Sequence, residues 1–226
     1  MFIKICGTTS EDDALLAVAL GADAVGFVFA PSPRQVSPQQ VADIVKRLPR
    51  EEVVTVGVFR DEAPRRVVEV MYAAGLHAAQ LHGRESAEEA RWVRQRVPMV
   101  IKAFPAGDVR VSRAADYGAD AVLLDAPNPG SGRVFDWALA ADLPQGQRLV
   151  IAGGLGPGNV ASAIERVRPW GIDATSGVEA SPGVKDPMKL KAFIEAARRA
   201  EAGLEAARPR PPAGAAAGPY DWADDE

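Results

Sequence analysis

The sequence lacks the features that mark secreted and membrane-spanning proteins. It has one cysteine, Cys6, so no disulfide can form within the chain, which is typical of a reducing compartment. No apolar run reaches the ~18 residues of a membrane helix. The N-terminus has neither the basic segment nor the cleavage site of a signal peptide. We therefore expect a cytoplasmic protein with no membrane partner.

The chain also lacks a large excess of charge of one sign. The chain has 26 Lys and Arg against 30 Asp and Glu, a net charge of -4, and no basic block that would match a phosphate backbone. We therefore expect no nucleic-acid partner. The hydrophobic fraction of 47% over 226 residues is ordinary for a globular protein and is enough for one sizeable core.

Composition divides the chain into two parts. Residues 1–207 have the composition of a single folded domain. Residues 208–226 are rich in Pro, Ala and Gly and show neither helical nor strand periodicity. This segment therefore predicts a flexible C-terminal tail, to which we assign no function.

A short phrase, Gly-x-Asp-Ala or a close variant, recurs along the chain at residues 21–24, 75–78, 118–121 and 171–174. Apolar, β-branched runs alternate with it, at residues 2–6, 53–59, 99–104 and 149–152. Together they mark eight candidate strands about 25 residues apart, with helical patterns in most gaps. We interpret each phrase as the end of a helix that leads into the next strand.

The gaps carry helix-start signals. Ser10 precedes an acidic turn, Ser37 precedes Pro38, and Ser86 forms a capping box with Glu89. Eight apolar parallel strands fit either an open doubly wound sheet or a closed barrel. The regular spacing, and the lack of a Gly-x-Gly-x-x-Gly turn after the first strand, favour an α/β fold made of one (β/α)8 TIM barrel.

In such a barrel the chemistry lies at the C-terminal ends of the strands. Lys4 and Cys6 share one face of the first strand, so a cation stands near a thiol and favours its thiolate form, as a base requires. Asp125 follows three apolar residues at the end of the sixth strand, where loss of water favours the neutral acid. The alternatives are a small buried hydrophobic residue for Cys6 and a helix cap or salt-bridged loop residue for Asp125. We take the two as the candidate catalytic pair.

The remaining strand ends predict a binding site for a small phosphorylated molecule. Small residues that free backbone N–H groups for a phosphate follow strands seven and eight: Gly153, Gly154, Ser176 and Gly177. Gly130 and Gly132 suit a mobile loop whose N–H groups approach an anion. Arg34 suits a carboxylate clamp or solvated surface, and His82 and Asp173 either contact substrate or shape their loops.

These residues in this order resemble the phosphoribosylanthranilate isomerase family of tryptophan biosynthesis, from Phe2 to about Ala200. The motifs are Lys4-Ile5-Cys6-Gly7, Ser32-Pro33-Arg34, Gln80-Leu81-His82-Gly83, Leu124-Asp125, Gly130-Ser131-Gly132 with Phe135-Asp136-Trp137, Ala152-Gly153-Gly154-Leu155, Ser176-Gly177-Val178-Glu179 and Pro182-Gly183 with Lys185-Asp186.

The resemblance implies an Amadori rearrangement of N-(5-phosphoribosyl)anthranilate to 1-(o-carboxyphenylamino)-1-deoxyribulose 5-phosphate, without metal or cofactor. It assigns Asp125 as the general acid and Cys6 as the general base. It also assigns Arg34 to the anthranilate carboxylate and the glycine loops to the phosphate. The expected assembly is a monomer or a homodimer.

Three other interpretations stay open at this point. A sister isomerase of histidine biosynthesis performs the same rearrangement, but it resembles two half-barrels and has Asp where this chain has Cys6. An aldolase would use Lys4 or Lys102 as a Schiff-base lysine. A non-catalytic barrel would bind a phosphorylated metabolite and report it through the tail.

Overall fold

The structure is a computed structural model that describes residues 1–49, 51–126, 139 and 143–206. The predicted glycine loop with Gly130 and Gly132, and the predicted tail at 208–226, lie outside these ranges. The strands that form the main sheet are β1 Phe2–Ile5, β2 Ala24–Val28, β3 Val54–Phe59, β4 Ala78–Leu81, β5 Met99–Pro105, β6 Ala121–Asp125, β7 Leu149–Ile151 and β8 Gly171–Ala174.

These eight strands form a closed parallel barrel in chain order, and β1 pairs with β8 to complete it. The predicted (β/α)8 barrel is therefore confirmed. A small antiparallel hairpin follows β8, made of β9 Glu179–Ser181 and β10 Val184–Lys185. A short 3₁₀ turn, Ser176–Val178, joins β8 to this hairpin.

Helices lie between most strands. They are α1 Glu11–Ala19, α2 Pro38–Val45, α3 Pro64–Ala74, α4 Ala87–Arg94, α5 Val160–Val167 and α6 Pro187–Ala206, with a 3₁₀ helix, Val109–Tyr117, between β5 and β6. Within the described ranges, no helix combines the length and apolar character needed to cross a bilayer.

The predicted helix starts are present. The hydroxyl of Ser10 accepts a hydrogen bond from the backbone N–H of Asp13 at 3.2 Å, and Ser37 caps α2 in the same way. Ser86 and Glu89 form the reciprocal capping box at the start of α4. Each cap satisfies N–H groups that the first helical turn leaves without partners, so these serines determine where the helices begin.

The repeated glycine phrase has two different structural roles. Gly75 and Gly118 end a helix with φ of 66° and 62°, a conformation that favours glycine. The same interpretation is wrong for Gly171, which lies inside β8 after α5 has already ended at Arg168. A Cβ on Gly171 would lie 2.8 Å from the carbonyl oxygen of Phe2, so glycine here allows two strands to approach closely.

The core has two layers. The outer layer lies between the strands and the helices, and the inner one fills the lower part of the barrel with mostly small residues: Ala24, Val56, Ala78, Ile101, Ala103, Ala121, Leu123, Val150 and Ala152. Phe2 stacks on Trp170 at the N-terminal end of the barrel, with ring centroids 4.6 Å apart. This apolar filling leaves only the C-terminal end of the interior for polar groups.

Lys102 does not point into the barrel. It alternates with the inward-facing Ile101 on β5, so its side chain extends toward the helices. Its Nζ donates to the Glu85 carboxylate at 2.7 Å and to the carbonyls of Leu81 and Gly83 at 3.1 and 2.9 Å. Burial lowers the pKa of Lys102, and the charge of Glu85 opposes this. Lys102 therefore anchors the loop after β4, and it is not a Schiff-base lysine at the barrel mouth.

We expect Lys102→Met to lower the free energy of unfolding by ~3–5 kcal/mol, because it leaves the Glu85 carboxylate buried without its cation. Urea denaturation at neutral pH measures this change. Lys191→Met, which removes an exposed partner of Glu195, is the matched control and should leave the midpoint close to wild type. An unchanged midpoint for Lys102→Met would contradict the anchoring role.

Candidate active site

Four polar side chains point into the C-terminal end of the barrel from four strands. They are Lys4 on β1, Gln80 on β4, Asp125 on β6 and Asp173 on β8, and all are buried. Each occupies an inward position because side chains alternate along a strand and the closed barrel turns one face of every strand inward. The strand ends that the sequence singled out therefore converge on one site.

Lys4 and Asp173 form an ion pair inside the barrel. The ammonium donates to Asp173 Oδ2 at 2.9 Å, and both side chains are almost fully buried. Cys6 lies beside this pair: a Cβ on Gly26 would lie 2.8 Å from Cys6 Sγ and 3.1 Å from Lys4 Nζ. Glycine at position 26 therefore leaves the space that the thiol and the ammonium share.

Burial raises the pKa of the Cys6 thiol above its ordinary value, and the Lys4 ammonium opposes this rise. Burial by itself would lower the pKa of Lys4, but the charges and hydrogen bonds of Asp173 and Cys6 together outweigh it, and the pKa of Lys4 is raised. Lys4 is therefore an ammonium and Cys6 a thiol at neutral pH. Lys4 lowers the pKa of Cys6, as the sequence led us to expect, but burial of the thiol raises that pKa by more.

Asp125 lies across the barrel on β6. Its Oδ1 accepts a hydrogen bond from the N–H of Ala126 at 2.7 Å, and its Oδ2 lies 3.2 Å from His82 Nε2. The amide Nε2 of Gln80 lies 2.9 Å from the other ring nitrogen, His82 Nδ1. A Cβ on Gly153 would lie 2.9 Å from Asp125 Oδ1, so the loop after β7 packs against this carboxyl group only because it has glycine there.

Arg34 extends over the barrel mouth and is held by Glu179. Its Nε and Nη2 both donate to the Glu179 carboxylate, at 2.8 and 2.6 Å. The third nitrogen, Nη1, has no hydrogen-bond partner among the residues that the structure describes. A Cβ on Gly7 would lie 2.5 Å from Arg34 Cδ, so the arginine side chain rests directly on the loop after β1.

Glu179 also joins Arg34 to the loop of the candidate base. Lys185 Nζ donates to Glu179 at 3.1 Å and to the carbonyl oxygen of Cys6 at 2.5 Å. Burial alone would raise the pKa of Glu179, but its contacts with Arg34 and Lys185 outweigh this and hold the pKa below its ordinary value. Sequence reasoning gave no role to Glu179 or Lys185. The sequence did contain one signal for them, because both charged residues stand in family motifs that lie next to the predicted phosphate loop.

The loops after β7 and β8 meet at one side of the mouth. Gly153 and Gly154 have φ of 83° and 66°, and a Cβ on Gly177 would lie 2.0 Å from the carbonyl oxygen of Leu155. The backbone N–H groups of Gly154, Ser176 and Gly177 have no acceptor within the described part of the chain. Free N–H groups beside a short helical turn are typical of an anion site, and the structure places the predicted phosphate residues together.

A carboxyl group and a thiol at the mouth of a (β/α)8 barrel, beside loops with free N–H groups, are the features expected of one class of enzyme. It comprises the isomerases that move protons within a phosphorylated sugar derivative.

Comparison with known proteins identifies the family within this class. Residues 3–196 match the family model described as N-(5'phosphoribosyl)anthranilate (PRA) isomerase. The N-(5'-phosphoribosyl)anthranilate isomerase of Desulforudis audaxviator is 48% identical over 205 residues, which are 88% of this chain and 98% of that protein.

Solved structures agree with this match. The phosphoribosyl anthranilate isomerase of Thermus thermophilus is 45% identical with a TM-score of 0.82, covering 90% of this chain and all (100%) of that one. A second isomerase, in complex with reduced 1-(o-carboxyphenylamino)-1-deoxyribulose 5-phosphate, is 42% identical with a TM-score of 0.78, covering 88% and 99%. The chain belongs to the N-(5'-phosphoribosyl)anthranilate isomerase family.

Because Cys6 is the only cysteine in the sequence, ultraviolet thiolate absorbance reports one group. We expect its thiolate to form only above the pH at which an ordinary thiol ionises, because burial raises the pKa of Cys6. Lys4→Met should move the ionisation to still higher pH, since it removes the opposing cation. Lys191→Met should have no effect, and Cys6→Ser supplies the baseline. Ionisation of Lys4→Met at a lower pH than wild type would contradict this account.

Proposed function

We propose that this chain isomerises N-(5'-phosphoribosyl)anthranilate to 1-(o-carboxyphenylamino)-1-deoxyribulose 5-phosphate in tryptophan biosynthesis, with Asp125 as the general acid and Cys6 as the general base. The observation that carries the proposal is the placement of a carboxyl group and a thiol at the mouth of one barrel, in a chain of this isomerase family. A similar isomerase binds the reduced form of the product.

The first step opens the ribose ring. Asp125 donates its proton to the ring oxygen, the bond between C1 and that oxygen breaks, and the nitrogen lone pair forms a C=N bond to C1. Asp125 suits this step because it is 7% exposed and lies at the C-terminal end of β6, where a substrate in the mouth reaches it. The products are a Schiff base and the Asp125 carboxylate.

The second step removes the proton from C2. Cys6, a thiol at rest, first loses its proton to solvent and then takes the C2 proton as thiolate, and the electron pair of the C–H bond moves toward the iminium nitrogen to give an enolamine, which tautomerises to the ketone. Lys4 offsets part of the cost of forming a thiolate in a buried position. The acid and the base act on different atoms, so their separation across the barrel fits the two steps.

The ends of the substrate match the charged groups at the mouth. The free Nη1 of Arg34 supports its role in holding the anthranilate carboxylate. The free N–H groups of Gly154, Ser176 and Gly177 support a phosphate site. Asp173 Oδ1 is buried without a partner among the described residues, so it supports an acceptor role toward a substrate hydroxyl or N–H group.

The proposal extends to the compartment and the oligomeric state of the enzyme. A thiol base must stay reduced, which supports the cytoplasm as its compartment. A similar isomerase from Thermotoga maritima is described as dimeric, and this supports a homodimer over a monomer for this chain. Light scattering on the eluting peak of a sizing column distinguishes the two assemblies.

Cys6→Ser and Asp125→Asn should each lower kcat by ~10²–10⁴-fold, since each removes one proton-transferring group. The affinity for the reduced product should change little, because both variants keep the shape of the site. Loss of fluorescence of freshly made phosphoribosylanthranilate measures kcat.

Two comparisons accompany this test. Glu62→Gln, an exposed change after β3, should keep full activity. The aminoaldose of histidine biosynthesis, offered as a second substrate, should not turn over. Wild-type kcat in either Cys6→Ser or Asp125→Asn would remove that residue from the mechanism, and turnover of neither substrate by the folded wild type would favour a non-catalytic binding protein.

Glu179→Gln should raise KM about tenfold and change kcat less. The amide keeps the size of the side chain but turns one acceptor oxygen into a donor and loses the charge that holds Arg34, so the side chain proposed to bind the substrate carboxylate becomes less ordered. Steady-state kinetics measures KM and kcat, and Glu62→Gln, the same substitution at an exposed position, is the control. An unchanged KM would show that Arg34 does not depend on Glu179.

A further inference from the structure

We infer that Gln80 is a positioning residue that holds His82 in the tautomer with its proton on Nε2, and so keeps the acidic proton of Asp125 directed toward the substrate. This inference rests on the proposed role of Asp125 as the general acid. It assigns a purpose to a buried amide that stands in the motif Gln80-Leu81-His82-Gly83 but was given no role there.

The three side chains form a row. Gln80 Nε2 lies 2.9 Å from His82 Nδ1, and His82 Nε2 lies 3.2 Å from Asp125 Oδ2. Gln80 points into the barrel and has no exposed surface (0%), whereas the His82 side chain is 22% exposed at the rim. The row therefore runs from the barrel interior to the catalytic carboxyl group.

The direction of the first hydrogen bond determines the tautomer. An amide N–H only donates, so His82 Nδ1 must accept, and the proton of the neutral ring is then on Nε2. The opposite amide orientation would place the NH2 group of Gln80 where its Oε1 now lies, a buried position without a partner among the described residues. Orphaned N–H groups are rarer than under-satisfied carbonyls, so the observed orientation is the favoured one.

This tautomer leaves the acidic proton of Asp125 free. One oxygen accepts from the N–H of Ala126, and His82 Nε2 lies 3.2 Å from the other; a nitrogen that already carries a proton cannot accept the proton of Asp125. Each carboxyl oxygen has a further lone-pair position for the proton that Asp125 carries as the proposed general acid. With the other tautomer, the bare Nε2 of His82 would accept the proton and hold it away from the substrate.

The loop that carries His82 is held firmly enough to maintain this geometry. The backbone N–H of His82 donates to the carbonyl of Phe59 at 2.8 Å. One residue further on, Gly83 donates to Glu85 at 2.9 Å and accepts from Lys102 at 2.9 Å. The ring therefore has a fixed backbone, and Gln80 has only to determine which of its nitrogens carries the proton.

Nitrogen-15 NMR of histidine-labelled protein tests the tautomer directly. The chain has two histidines, His77 and His82, and His82→Asn assigns the signals. We expect wild-type His82 to show a protonated Nε2 and an acceptor-type Nδ1. Gln80→Met, which keeps the length but removes the donor, should mix the two tautomers. Thr55→Val is the matched control, because Thr55 contacts only the other ring at 3.0 Å and should alter His77 alone.

Kinetics then tests whether Gln80 acts through His82. We expect Gln80→Met to lower kcat about tenfold with little change in KM, the effect of losing one hydrogen bond. In the His82→Asn background the same change should cost less than about twofold, because the ring it controls is gone. A structural role for Gln80 would give the same loss in both backgrounds, and that result would overturn the inference.

Failure of this inference and failure of the proposed function give different results. Wild-type His82 protonated on Nδ1, in an enzyme that still requires Asp125, would overturn the role of Gln80 alone. Full activity of Asp125→Asn would overturn the assignment of the acid, and with it the purpose of the tautomer. The wild-type spectrum decides the first point even if Gln80→Met does not fold.

Discussion

The pairing of β1 with β8 is the constraint on which the site depends. It places Lys4 opposite Asp173 in register, although 169 residues separate them in the sequence, and their side chains form a buried ion pair. Isolated charges in this position would be costly, and together they satisfy one another. Cys6 follows Lys4 by two residues and Ser176 follows Asp173 by three. Closing the barrel therefore places the thiol and the predicted phosphate loop side by side.

A second network of hydrogen bonds links the loop after β1, which carries Cys6, to Arg34. Glu179 accepts from Arg34 and Lys185, and Lys185 donates to the backbone of Cys6. One carboxylate thus faces two cations, which leaves positive charge at a mouth proposed to receive an anionic substrate. The hairpin of β9 and β10 carries Glu179 and Lys185 over the barrel end. The same hairpin therefore supports both Arg34, the proposed substrate-binding residue, and the loop of Cys6, the proposed base.

The two candidate proton-transferring groups have opposite surroundings. Cys6 lies among charges, with Lys4 beside it, and burial keeps it a thiol at rest. Asp125 instead accepts from the N–H of Ala126 and lies 3.2 Å from the ring of His82. Ground-state environments that differ in this way allow one site to give a proton at one atom and take a proton at another. The barrel makes this possible because the two groups come from strands on different sides of its axis.

The sequence by itself determined the barrel and the residues at its mouth. Helix caps such as Ser86 and the alternating apolar runs are local signals, and parallel strands bring their ends together whatever their register. Only the tertiary structure decided the partners: Glu179 for Arg34, Gln80 for His82, and the outward direction of Lys102. Gly171 shows the same limit of local signals: its Gly-x-Asp-Ala phrase matches those of the helix-ending glycines, yet this residue lies inside a strand. Arg34 and Glu179 are 145 residues apart, and contacts at such separations depend on barrel closure and register, which no local pattern encodes.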